Sequence, residues 1–261
     1  MKIPIPREHG TWAMIYVPMA IAFASAPLIK FDFLVLILAI TSMFFLQNPL
    51  ATILRLGANG QSTLMVNNYS SWISFYTASA VVCGGYLLLR GFTFLLLFLA
   101  FFVFLLLVQL VLKKRKQHHG KLSELLAIAG LTSTALASRA VLIGQIEQQG
   151  VLLWLLCFLF FSSSVFYIKM RVSRHTHNKE ATVLTLLCIS FHIVLVLVLV
   201  ALAIYKIIPM FTAVAYFPIV IRAFIGTGSS GKINLRRIGI AEVIYTIIFA
   251  GILIFAESNI L

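Results

Sequence analysis

The chain has 261 residues, 61% of them hydrophobic and 10% charged, with a net charge of +13. Soluble domains carry about 25% charged and about 45–50% apolar residues, so this composition excludes an ordinary soluble core and leaves lipid as the place for the apolar surface. The positive balance sits in short segments between apolar runs, which reads as membrane orientation and argues against a nucleic-acid partner.

No stretch is polar enough to form a soluble domain, so residues 1–261 read as a single transmembrane helical domain. A spanning helix needs about 20 mainly apolar residues. Without water, only a helix satisfies its own backbone groups. The expected fold class is therefore all-α, a polytopic membrane protein of about nine spans. The polar lead carries Lys2, Arg7 and Glu8, and a first span follows over residues 10–29. Ala22, Phe23 and Ala24 resemble a cleavage site, but the run is long and is followed by further spans, so an uncleaved helix is expected. Further spans are predicted over 31–56, 71–89, 92–112, 122–143, 151–170, 181–205, 207–225 and 238–256.

With the N-terminus in the cytoplasm and the C-terminus outside, sixteen of the twenty Lys and Arg residues fall on the inner side. Lys30, Arg90, Arg139 and Lys206 remain outside. That asymmetry sets the expected orientation and the odd number of spans. The expected location is the plasma membrane, multi-pass. The longest polar connection is expected over residues 57–70, on the cytoplasmic side. Asn48 and Pro49 predict a break in the second helix, because proline removes a backbone donor.

Polar groups are costly in lipid, so their positions carry information. Glu8 and His9 enter the first helix as an acid/base or head-group pair, the candidate catalytic residues. Asn48, Glu124, Tyr167, Lys169, Arg171, Arg174, Arg222 and Glu242 fall in the cytoplasmic third of their spans. They are the candidate ligand-binding residues of a polar cavity facing the cytoplasm. For Glu124, after Ser123, and for Glu242, the favourable N-terminal end of a helix is an alternative explanation. His192 stands alone as an ionisable group at the middle of its span. Arg139 either snorkels or pairs with Glu147.

No metal site is expected. His175 and His177 lack further ligands nearby, and Cys83, Cys157 and Cys188 each lie inside apolar runs as small hydrophobes. Residues 226–232 match the opening of a phosphate loop, but Ile233 stands where a Ser or Thr should hold magnesium and no strand precedes it. A flexible turn is the reading. The basic run Lys113 to Lys116 suits anionic lipid.

Pro6, Arg7, Glu8, His9, Gly10, Thr11, Trp12, Ala13 and Met14, with Pro18 beyond them, resemble the opening motif of the YwiC-like family of bacterial membrane proteins. Ser162 to Arg171, and Arg222 to Phe224, also fit that pattern. The topology resembles the UbiA-type prenyltransferase bundle as well. That second resemblance implies aspartate-rich, magnesium-binding motifs after the second and sixth helices, yet residues 47–55 and 162–174 contain no Asp or Glu. The expectation is a divergent or non-catalytic UbiA-like protein that binds an amphipathic, isoprenoid or quinone-like lipid, its cofactor unknown. Lys169, Arg171, Arg174 or Arg222 would hold an anion directly. A proton-coupled or small-solute transporter, or a membrane scaffold, are the alternatives.

Overall fold

A computed structural model describes residues 9–26, 30–58, 63–114, 120–176, 180–228 and 234–258. The described residues are helical, in the order α1 (His9–Ala24), α2 (Phe31–Ala58), α3 (Thr63–Leu89), α4 (Leu95–Lys114), α5 (Lys121–Thr132), α6 (Thr134–Ile143), α7 (Gln148–His175), α8 (Ala181–Ile204), α9 (Met210–Val214), α10 (Phe217–Gly228) and α11 (Leu235–Ser258). Seven segments among them are long and apolar enough to cross a membrane, and two shorter apolar helices lie at Gly10–Ala24 and Leu95–Leu105. Each falls on one of the apolar runs picked out above, so the protein is a multi-pass, all-helical membrane protein. Large apolar side chains on α8, such as Leu186, Ile193 and Leu197, face outward as a lipid-facing helix requires.

α1 and the α5–α6 pair form the central wall. On one side Ile21, Ala22 and Ala135 join Leu156, Phe160, Tyr216 and Phe249 in one core. On the other, Ile15, Met19 and Val141 join Phe33, Leu36, Phe44 and Leu87 in a second. The first core is tied by stacked Phe160 and Phe249 rings with centroids 3.9 Å apart, and by Tyr216, whose hydroxyl donates to the Leu156 carbonyl at 2.7 Å. In the second core α2 and α3 run as a hairpin, joined at Ser42 and Ser79 by a 2.8 Å hydroxyl contact.

Several expectations are corrected. The fifth span is two helices meeting at Ser133. Its cause is a run of three hydroxyls: Thr132 donates to the Ile128 carbonyl at 2.8 Å, Ser133 to Gly130 at 2.7 Å and Thr134 to Leu131 at 2.9 Å. Such back-bonding competes with the helix ladder and bends it. The eighth span is also interrupted, at Ala215 and Tyr216 between α9 and α10. The break expected at Pro49 does not occur, because α2 continues through it. The polar connection expected over 57–70 is mostly helix, since α2 reaches Ala58 and α3 begins at Thr63. Polar residues satisfy a helix as well as apolar ones do, so α2 and α3 extend past their apolar spans.

Ser123 does not cap α5. Gly120 takes that position, and Glu124 lies in the first turn. Glu242 lies two turns into α11, which begins at Leu235, so the end of the helix dipole does not explain it. α10 runs through Gly226 to Gly228, so the first part of the glycine–serine turn is helix, and residues 229–233 lie outside the described ones.

Candidate functional site

Two polar constellations stand out. The first joins α7, α8, α10 and α11. Arg222, 7% exposed, donates to the carboxylate of Glu242, and the Ser164 hydroxyl donates to the other oxygen of that carboxylate at 2.6 Å. The guanidinium carbon of Arg222 lies 4.3 Å from the Tyr167 ring centroid and 5.1 Å from that of Tyr245. A second nitrogen of Arg222 reaches the Ser163 oxygen at 3.4 Å, and Ser163 meets His192 Nε2 at 2.9 Å. His192 is fully buried, with Nδ1 2.7 Å from the Cys188 carbonyl.

Three of the residues expected to bind ligand, Tyr167, Arg222 and Glu242, are thus brought together, but against one another. None of the three lines either of the two cavities described below. His192 is not isolated, as its depth in the span suggested. The long Arg222 side chain and the paired serines Ser163 and Ser164 carry the ionic layer to it.

Arg171 donates to the Gly226 carbonyl at 3.2 Å, and Arg174 donates to the Thr227 carbonyl. Both therefore serve the C-terminal end of α10, where carbonyls lack partners within the helix. Lys169 forms an ion pair with Glu124 at 2.8 Å, joining α7 to the first turn of α5. At the opposite end of the bundle, Arg139 pairs with Glu147 and also donates to the Ser25 carbonyl at 3.0 Å and to its hydroxyl at 2.9 Å.

The second constellation is a groove. One cavity of about 240 Å³ lies among α1 to α6 and is almost wholly apolar, with Leu36, Phe44, Leu87 and Phe98 among its walls. The break at Ser133 faces it, as irregular backbone in a membrane tends to face a cavity or protein. A second cavity of about 310 Å³ is lined by Thr11, Glu124, Leu105 and Val165. The two share Gln47, Phe102, Gly130 and Leu131. Gly130 permits this closeness: a β-carbon there would stand 2.8 Å from Leu105 Cδ1 on α4. The cavities therefore adjoin, with Gln47 in the wall between them, Thr11 and Glu124 on the second and a nearly apolar first.

Asn48 does not line either cavity. Its carbonyl accepts the Thr52 hydroxyl at 2.9 Å, and its neighbour Gln47 takes the wall position. Glu8 and the His9 side chain lie outside the described residues, although His9 opens α1 just before Thr11. Sequence reasoning missed Ser163 and Ser164 as partners, and Thr11 as a wall residue. Their signal was hydrophilicity inside an apolar run, which marks a residue and not its neighbour. Among the described residues no three His, Cys, Asp or Glu side chains are grouped to hold a metal ion.

No curated protein and no solved structure matches the chain. The model of the YwiC-like protein family matches residues 5–139, slightly more than half of the chain and the part that carries α1 to most of α6. The chain therefore belongs to the YwiC-like family.

Proposed function

We propose that the protein binds an amphipathic, isoprenoid or quinone-like lipid in the groove between α1, α2, α4 and α5. The observation that carries this reading is the pair of cavities sharing Gln47, Phe102, Gly130 and Leu131, polar at one end and apolar along the rest. Their volumes are near the lower end of small-molecule sites, about 300–1,000 Å³. Except for Val165, every wall residue lies inside the stretch matched by the family model. In this reading the basic end of the bundle faces the cytoplasm of a bacterial plasma membrane.

The UbiA-like resemblance is one of topology read from the sequence, and it does not carry the reaction over to this chain. A diphosphate held through two magnesium ions needs several oxygen ligands, with carboxylates foremost. Among the described residues of the groove Glu124 is the single carboxylate, and Lys169 already holds it. The groove does not fit that metal chemistry.

The test uses Gly84 on α3, where a β-carbon would meet nothing within 4 Å and which lines the apolar cavity. Gly84→Phe fills the groove without a clash at the backbone. A fluorescent isoprenoid titrated into detergent-purified protein is expected to bind wild type saturably, with at least about a tenfold loss in Gly84→Phe. Equal affinity in both proteins would sink the reading.

A second reading, solute transport, draws on the two interrupted spans, since transporters build sites from broken helices. Proteoliposomes carrying a pH-sensitive dye would separate the two. Proton movement that Gly84→Phe leaves unchanged would favour transport.

A further inference from the structure

His192 is fully buried near the middle of α8, and both of its ring nitrogens are engaged. Nδ1 meets the Cys188 carbonyl at 2.7 Å, and Nε2 meets the Ser163 oxygen at 2.9 Å. A carbonyl only accepts, so the neutral ring carries its hydrogen on Nδ1 and accepts from Ser163 through Nε2. From α10, Arg222 reaches the same Ser163 oxygen at 3.4 Å, longer than an ordinary N–H···O bond. Arg222 is the one charged residue of α10, and α9 brings no titratable side chain. The Cys188 thiol stands 3.8 Å from Nδ1, and Tyr167 of α7 packs against Cys188. Glu242 and Tyr245 of α11 lie on the far side of Arg222. Of the cations on α7, Lys169 meets Glu124, Arg171 the Gly226 carbonyl and Arg174 the Thr227 carbonyl.

This arrangement takes one proton without losing the bond between His192 and Ser163. With a proton on Nε2 the ring donates to the Ser163 oxygen, and the hydroxyl hydrogen turns to a carbonyl of its own helix, as serines in helices do. The new charge then stands one oxygen away from the Arg222 guanidinium, and like charges at that range repel. The Glu242 carboxylate and the Tyr167 and Tyr245 rings hold Arg222 from the other side, so the 3.4 Å contact with Ser163 is the one that parts. A guanidinium gives up no proton, so Arg222 also blocks passage from Ser163 to Glu242, and the layer holds a proton without conducting it.

We propose that His192 is a proton-binding switch: uptake of one proton there detaches Arg222 from Ser163 and loosens α10 against α7 and α8. None of these residues lines either cavity, so the switch stands apart from the lipid-binding reading.

The experiment follows the full chain in detergent, with histidine labelled by nitrogen-15, from about pH 8 to about pH 5. His192 is identified as the ring shielded from a water-soluble paramagnetic ion. In wild type that ring is expected to gain a second N–H within the range. Amide exchange over α10, corrected for the intrinsic effect of pH, is expected to quicken by about tenfold relative to α1. His192→Gln, whose amide still reaches Ser163, is expected to keep α10 exchange flat. Arg222→Met with Glu242→Leu is expected to leave the ring titrating and α10 flat, because the repelled cation is gone. A wild-type ring that stays neutral throughout overturns the proposal, and so does one that titrates while α10 does not respond. Neither of those readouts depends on a variant folding. A response of α10 that survives in His192→Gln would assign it to another group and overturn the proposal as well.

Discussion

Arg222 lies between two kinds of partner, donating to the Glu242 carboxylate while its guanidinium carbon sits 4.3 Å from the centre of the Tyr167 ring. The ring face carries negative potential, so the cation gains from both. Three helices, α7, α10 and α11, are thereby fixed to one another by a single side chain. In lipid neither charge has water to fall back on, and each therefore depends on the other.

Removing one member of this pair leaves a buried, unmatched charge, which typically costs about 3–5 kcal/mol. Arg222→Gln and Glu242→Gln are each expected to lower the thermal midpoint in detergent strongly. The double change Arg222→Met with Glu242→Leu is expected to recover much of that loss, because two apolar residues suit a lipid-facing bundle. Equal loss in the singles and the double would show that packing, not charge matching, sets the cost.

The same layer fixes the state of His192. A carbonyl only accepts, so the 2.7 Å contact with Cys188 places the proton on Nδ1. Nε2 of the neutral ring then accepts from the Ser163 hydroxyl, whose oxygen accepts from Arg222. Nitrogen-15 spectra of labelled protein are expected to show a protonated Nδ1 and a bare Nε2. Ser163→Ala is expected to cost about 1–3 kcal/mol by leaving that nitrogen unmatched. A spectrum with the proton on Nε2 alone would contradict this arrangement.

Two glycines give opposite predictions. At Gly226 a β-carbon would lie 2.5 Å from Tyr167 Cε2, and that ring is held in turn by Arg222. Gly226→Ala is expected to cost about 1–3 kcal/mol through overpacking, relieved by Tyr167→Leu. At Gly84 the space is open, and Gly84→Ala is expected to stabilise α3 by about 0.5–1 kcal/mol. Thermal midpoints that move in the same direction for both would overturn the packing account.

What the sequence made legible follows from range. The apolar runs mark the membrane segments, because lipid imposes a length and a helix on each. The Arg139–Glu147 pairing was readable because a short turn between α6 and α7 keeps the two close. Ser163 and His192 were not paired in advance, since their meeting depends on the register between α7 and α8, which polarity along one strand of sequence does not encode. Glu242 was misplaced for a local reason: the apolar run starts at Ile238, but the helix begins at Leu235. At the groove, Asn48 and Gln47 are neighbours in sequence and lie about 100° apart on a helix. Only the packing of α2 decides which faces inward.

Arg139 is the test of how the opposite end is held. Its side chain, 5% exposed, donates to the Ser25 carbonyl and hydroxyl at the end of α1, and to Glu147 and Gln149 at the start of α7. A planar fork with five donors does this, and an ammonium group cannot, because it is a compact point charge. Arg139→Lys keeps the charge and is expected to lose the bonds to Ser25, leaving its carbonyl unmatched at about 1–3 kcal/mol, while its hydroxyl keeps the 3.1 Å bond to the Ala22 carbonyl. The loss should be local, so hydrogen exchange is expected to quicken over residues 21–26 and 147–150 while α10 and α11 stay protected. Arg139→Met is expected to cost more, because it also strands Glu147. If Arg139→Lys leaves exchange at Ser25 unchanged, charge alone holds α1 to α7, and the fork geometry has no part in it.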